Sequence, residues 1–346
     1  MIVGIDASNL KVGGGKTHLY EILTNLNTKA HKIEKIVIWG QKANIKNLKD
    51  IPLVKLKTPL QLEKNLLVRI FWQLFILQKD IKKENCDILF SPGGLFTGKF
   101  NPVIVMCRNM LPFEWKELKR FGISSVTIRL ILLRIFQMLS FKKSNGIIFL
   151  TTYAHNIISK KITLKNSKIK IIPHGVNKNF FKKPRIQKHI GDYTISNPFK
   201  ILYVSIIDIY KHQWNLVEAV SILRIKNNWP LTLHLVGPYS KPSLRKLQNS
   251  IEKFDNDKLW VNYHGSIEYN KLNKIYFSSN LGVFASSCEN MPNILLETMA
   301  SGLPVVSSNK GVMLEILKDF GLYFDPECPK SISVALEKMI ISPDLR

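Results

Sequence analysis

Short apolar runs rich in β-branched residues alternate along this chain with longer stretches of helical spacing, and that alternation constrains its fold more than any other feature. The runs occupy residues 2–5, 36–39, 88–90, 103–107, 146–150 and 169–172 in the first half. In the second half they occupy 201–205, 231–236, 260–263, 281–285, 304–307 and 321–324. Continuous apolar runs of this length suit parallel strands buried on both faces. The helical stretches between them supply the crossovers, so the chain reads as α/β, with two doubly wound domains. Its 346 residues are enough for two separate cores. The boundary is placed in the Ile171-Ile172-Pro173-His174-Gly175-Val176-Asn177 segment, giving domains of 1–173 and 174–346. The basic, irregular stretch 178–200 reads as the linker. Ligands of such folds bind at the carboxyl ends of the strands.

Composition narrows the function classes. A hydrophobic content of 45% with 22% charged residues describes a soluble globular protein. No apolar run is long enough to span a bilayer. The first residues read as a strand with no basic leader or cleavage site, which argues against a signal peptide and for a cytoplasmic location. Cys86, Cys107, Cys288 and Cys328 show no Cys-x-x-Cys spacing and read as reduced, buried thiols. The formal net charge of +25 divides unevenly. Residues 1–200 hold 35 Lys and Arg against 11 Asp and Glu, whereas 201–346 hold 15 against 14. The first half therefore presents a basic surface, suited to anionic lipid, diphosphate-linked lipids or nucleic acid.

One segment concentrates the chemistry. In Ser286-Ser287-Cys288-Glu289-Asn290-Met291-Pro292-Asn293-Ile294-Leu295-Leu296-Glu297, two carboxylates stand eight positions apart, one before a helix and one inside it. Pro292 suits the first helical position, where a missing N–H costs nothing. Gly302 and Pro304 end the helix, and Val305-Val306 begin a buried strand. The first helical turn offers free N–H groups to a phosphate. Glu289 then lies just before a phosphate site and Glu297 two turns into the helix.

This arrangement resembles the Glu-x7-Glu motif of retaining GT-B glycosyltransferases of the family 4 type (glycosyl transferases group 1). Together with Lys211-His212-Gln213-Trp214 it is most similar to the bacterial surface-polysaccharide subgroup. The resemblance implies a GT-B fold, two Rossmann-like domains facing across a cleft. It implies transfer of a hexose, mannose-like or similar, from a nucleotide-diphosphate sugar to a lipid-linked saccharide, with retention, in O-antigen or capsule synthesis. Glu289 would orient the donor sugar and Lys211 would neutralise the departing diphosphate, as the catalytic residues. Glu297 would hold the ribose. Asn290, Met291, Pro292 and Asn293 would offer the helix N-terminus to the diphosphate. Gly14 and Gly15, in the glycine run after the first strand, would line the opposite wall. No metal and no cofactor is implied. The expected location is the inner face of the cytoplasmic membrane, with an anionic lipid surface met by the basic first domain.

Two departures from the family pattern matter. Ile206 stands where an Arg usually accompanies the Lys, so half of a cationic pair is missing. Arg108, at the end of a first-domain strand, takes the place of a common family His and is the candidate replacement. The family also ends in a helix that crosses back to the first domain, whereas this chain stops at Arg346, soon after a helix expected over 331–341.

Other motifs carry less. Gly13-Gly14-Gly15-Lys16-Thr17 mimics the end of a P-loop, but Leu10 occupies the place of its first glycine. Asp255-Asn256-Asp257 mimics a metal motif and reads as a solvated loop. His174 reads as structural or as a rim contact. Two basic apolar stretches, 124–143 and 66–77, suit either crossover helices or an interfacial membrane helix. Core packing is expected for the second and membrane contact for the first. The rival classes are a noncatalytic GT-B scaffold, suggested by Ile206, and a basic nucleic-acid-binding protein. The latter lacks aromatic residues interleaved with its basic runs, so no nucleic-acid partner is expected.

Overall fold

Thirteen strands are present among the described residues of the computed structural model, which covers 1–10, 14–164 and 168–346 and leaves out the side chains of Leu66 and Leu67. Gly13 of the glycine run thus lies outside the described residues. The chain divides into two units, Met1–Leu118 with Ile123–His174, and Lys119–Gly122 with Gly175–Arg346.

The first unit holds β1 (Ile2–Asp6), β2 (Lys35–Trp39), β3 (Val54–Lys57), β4 (Ile88–Ser91), β5 (Val103–Cys107), β6 (Gly146–Phe149) and β7 (Lys168–Ile171). They form one sheet in the order β3-β2-β1-β4-β5-β6-β7, with every pair parallel. The second unit holds β8 (Phe199–Val204), β9 (Leu231–Val236), β10 (Val261–Tyr263), β11 (Leu281–Phe284), β12 (Val305–Ser308) and β13 (Leu322–Phe324). Their order is β10-β9-β8-β11-β12-β13, again all parallel. In each sheet the chain winds outward from its first strand, then returns to build the other side. The winding reverses between β1 and β4, and between β8 and β11. Such switch points leave a crevice at the carboxyl ends of the strands.

All twelve runs became strands; those covered on both faces are apolar at nearly every position, whereas β7, Lys168-Ile169-Lys170-Ile171, is a largely exposed edge strand. The strand missed is β3. Its sequence Val54-Lys55-Leu56-Lys57 alternates, as an edge strand does when lysines guard it against pairing with other chains. Lys35, Lys55 and Lys57 converge on the Glu84 carboxylate at 2.6, 2.9 and 2.8 Å.

Three expectations need correction. Residues 178–200 do not form a free linker. Phe180 is buried in a core cluster with Leu202, Val204, Tyr276 and Leu303, and Arg185 Nη1 donates to Phe277 O at 3.1 Å. Cys328, just before the helix Pro329–Ile341, is exposed, unlike the other three cysteines. The stretch 66–77 is only half core. Trp72 and Leu77 are fully buried, but a π-helical turn over Trp72–Ile76 accompanies the exposure of Phe71 and Phe75.

The helix Ser125–Lys143 has two apolar faces. Leu130, Gln137 and Phe141 are buried, whereas Ile128, Leu132, Ile135 and Leu139 form an exposed stripe at helical spacing.

Candidate active site

The second-unit site is built from two loops that leave adjacent strands. The β8 and β11 strands pair through Leu281↔Ile201 and Gly282↔Leu202, so the loop after β8 and the loop after β11 emerge side by side. The helix Asn293–Ala300 follows the second loop. It lies so close to β11 that a Cβ on Gly282 would meet Thr298 Cγ2 at 2.1 Å. Only glycine permits this approach, which fixes the depth of the helix and of Glu297 upon it.

Glu297 is 5% exposed and accepts a hydrogen bond from Tyr276 Oη at 3.2 Å. Burial pushes its carboxyl pKa up to about 7, against the lowering effect of hydrogen bonds from Tyr269 and Tyr276. Two sequence expectations shift here. Pro292 is the N-cap and Asn293 the first helical residue, so Glu297 lies one turn into the helix rather than two. The helix ends as expected, with Ser301 as C-cap and Gly302 left-handed at φ +65°.

Lys211 and Glu289 meet directly. The Lys211 ammonium donates to Glu289 Oε1, with the Lys side chain 6% exposed and the Glu 17%. The aromatic rings of Tyr210 and Phe284 lie 5.0 and 5.6 Å from Nζ. Tyr203 Oη, itself buried, donates to the Lys211 carbonyl at 3.1 Å. Beside this pair, Ser287 N donates to Tyr210 O at 2.9 Å, and His212 Nε2 meets Ser287 Oγ at 3.0 Å. Asn290 is buried, and Met291 half-buried, in the loop between the two carboxylates. The buried Oδ1 of Asn293, at the mouth of the helix, has no hydrogen-bond partner among the described residues. Ile206 is 36% exposed and contributes only its carbonyl, which accepts from Gln213 Nε2 at 2.8 Å. The constellation combines one cation, two carboxylates and the open amides of a helix. It suits an anion flanked by hydroxyl groups.

The first unit gathers a second group that the sequence left scattered. Gly14 and Gly15 open the helix Gly14–Thr24 instead of forming a loop before it. A Cβ on Gly15 would lie 2.9 Å from Arg108 Nη1, so the guanidinium sits against that helix start. His18 and His174 pack edge to face at 4.0 Å between ring centroids. Each leaves its buried Nδ1 without a hydrogen-bond partner among the described residues. Burial, then the neighbouring charges, hold His18 at a pKa of about 4 and His174 at about 3, so both imidazoles are neutral. Burial alone lowers Arg108 to about 10, and no carboxylate among the described residues pairs with it. Lys16 points elsewhere, to Ala43 O at 3.4 Å, which is no P-loop geometry. Asp255 is buried rather than solvated and accepts from the amides of Leu259, Trp260 and Val261 at 2.7 to 3.1 Å.

Two family descriptions together match most of this chain, "Glycosyltransferase Family 4" over residues 12–180 and "Glycosyl transferases group 1" over 186–346. The chain belongs to the family 4 glycosyltransferases. It is similar to the O-antigen chain mannosyltransferase RfbU of Salmonella typhimurium, 22% identical over 233 residues. That match takes in 66% of this chain and 60% of the relative's length. Sucrose-phosphate synthase of Thermosynechococcus elongatus has a similar fold, with a TM-score of 0.76 at 14% identity, covering 100% of this chain and 91% of the other. Anabaena HepE, solved with UDP and glucose, gives 0.70 at 15% identity over 100% and 91%. The GT-B architecture of two Rossmann-like domains is thus shared.

Within this family 4 chain, sequence reasoning passed over three residues that the structure places at the two constellations. Tyr276 carries no motif, and only the fold brings it to Glu297, 21 positions away. His18 lies one helical turn after Gly14 and Gly15, a signal that could have been read. His212 follows Lys211 directly in the Lys211-His212-Gln213-Trp214 segment, and that adjacency was its signal.

Proposed function

We propose that this chain transfers a hexose from a nucleotide-diphosphate sugar to a lipid-linked saccharide in surface polysaccharide synthesis, at the inner face of the cytoplasmic membrane. The observation that carries the reading is the Lys211–Glu289 pair beside the open helix start at Asn293, with Glu297 one turn further in. Lys211 and the helix amides would take the diphosphate as it departs, which is where negative charge develops. Glu289 would orient the sugar hydroxyls and balance an oxocarbenium-like ring. Glu297 would accept hydrogen bonds from the ribose, and Arg108 would supply the positive charge that Ile206 does not. Neither a metal nor a cofactor has a part in this reading. HepE, solved with UDP and glucose, and the mannosyltransferase relative support a nucleotide sugar as donor.

The membrane part of the reading rests on the helix Ser125–Lys143. Its exposed stripe of Ile128, Leu132, Ile135 and Leu139 is accompanied by Arg129, Arg134, Lys142 and Lys143, with no acidic residue in the helix. Among the described residues no helix is long and apolar enough to cross a membrane. Sedimentation with vesicles should show binding when they contain anionic lipid and little when they are zwitterionic, and an Ile128→Asp/Ile135→Asp variant should lose it.

The donor site is tested by thermal stabilisation with a panel of nucleoside diphosphates and nucleotide sugars, on wild type and Glu297→Ala. A shift with one base that disappears in the variant supports the reading. Absence of any shift with folded protein sinks it.

A further inference from the structure

We propose that His212 is a positioning residue that locks the Lys211 loop to the Glu289 loop and so presets the cation–carboxylate pair. The proposal rests on the transferase reading only for its catalytic consequence. Its structural part stands on the second unit alone.

Four observations carry it. His212 holds a left-handed backbone, φ 54° and ψ 30°, at the N-cap of the helix Gln213–Asn227. That region disfavours residues with a Cβ, so a non-glycine residue there is held in place by something it contacts. The side chain is 2% exposed and its Nε2 lies 3.0 Å from Ser287 Oγ. Ser287 in turn joins the Tyr210 carbonyl twice, through its amide at 2.9 Å and its hydroxyl at 3.3 Å. Lys211 lies between Tyr210 and His212, and Glu289 lies two residues beyond Ser287.

The proton order follows from these contacts. The Ser287 hydroxyl has one hydrogen, which is donated to Tyr210 O. Its oxygen then accepts from His212 Nε2–H. A neutral imidazole with the proton on Nε2 satisfies the chain, and burial keeps His212 neutral, with a pKa near 4. Of the groups facing the ring, Arg120 and Lys246 disfavour its charged form and Glu327 and Asp325 favour it, while the Trp214 ring lies 6.0 Å away. A glycine would meet the backbone requirement more easily but would leave Ser287 without this donor. The imidazole therefore has a task that the backbone alone does not explain.

The test separates backbone from side chain. His212→Gly and His212→Asn both tolerate the left-handed conformation, and neither reaches Ser287. Both should keep the wild-type melting temperature to within a few degrees. Amide hydrogen exchange in peptides spanning 284–292 should quicken about tenfold in both, with other strands unchanged. Ser287→Ala should do the same, and the His212→Gly/Ser287→Ala double variant should add little further. With a donor identified by the nucleotide panel, kcat for donor hydrolysis or transfer should fall about tenfold while KM for the donor changes less than threefold. Unchanged exchange over 284–292 in His212→Gly overturns the proposal whatever the catalytic result. Wild-type kcat in both variants overturns the catalytic part. Failure of the wild type to bind any nucleotide refutes the transferase reading instead, and leaves the exchange result to decide the loop lock.

Discussion

The Lys211 ammonium rests on the Glu289 carboxylate across the β8/β11 switch point, joining residues 78 positions apart. An almost fully buried ammonium would be costly alone, and the carboxylate offsets that cost until a phosphate arrives. Lys211→Met should leave Glu289 without its partner and cost roughly 1–3 kcal/mol of stability, less than for a fully buried pair because Glu289 keeps some solvent contact. Adding Glu289→Gln should recover most of that loss in urea denaturation. Nucleoside diphosphate binding should stay weak in both variants. A double variant as unstable as the single one would show that the two side chains do not act as a pair.

Glu297 is predicted to set a pH dependence. Its folded pKa of about 7 lies above the ordinary carboxylate value of 4.5, so the fold favours the protonated form. Native stability is therefore highest below about pH 4.5 with respect to this group and falls as pH rises towards 7. Glu297→Gln removes the ionisation and should raise Tm at pH 8 while changing it little at pH 5. The gain at pH 8 is bounded at about 3 kcal/mol by the size of the shift. Ribose hydroxyls donate best to the carboxylate, so wild-type nucleotide affinity should weaken as pH drops below 7. Calorimetry from pH 5.5 to 8.5 checks this, and a flat profile would count against Glu297 as the ribose acceptor.

Arg108 presents a conflict between stability and binding. Its side chain is half-buried, with the guanidinium against Gly15 and near two neutral imidazoles, and no carboxylate among the described residues pairs with it. Replacing it by Met keeps the volume and removes a desolvated charge. Arg108→Met should hold or raise Tm by a few degrees and weaken donor binding at least tenfold. A lower Tm with unchanged affinity would mean that Arg108 is a packing residue.

Glu84 anchors the edge of the first sheet through Lys35, Lys55 and Lys57. Hydrogen bonds from these lysines hold its carboxyl well below the usual range. The stabilisation is present above the unfolded carboxylate pKa and is lost as pH falls below it. Glu84→Gln should cost about 1–2 kcal/mol at pH 7, since the lysines are partly exposed and screened. The difference from wild type should shrink at pH 3 and in 1 M salt, as read by denaturant midpoints.

Twelve of the thirteen strands among the described residues, the pairing of Glu289 with a helix start and the charge bias of the first half were legible in the residues themselves. Each depends on local pattern. A strand covered on both faces must be apolar throughout, Pro and Gly bracket a helix, and lysine is counted wherever it lies. Edge strand β3 escaped because its period-2 pattern is short and half polar. The sites are another matter. Tyr276 on Glu297, Ser287 on His212, and Arg108 beside His18 and His174 join residues far apart in the chain. Their meeting depends on strand order and on how closely a helix can approach β11 over Gly282. Local period specifies which segments become strands and helices. Only the wound sheet decides which loops emerge together, and only the burial it produces raises the pKa of Glu297 and keeps His212 neutral.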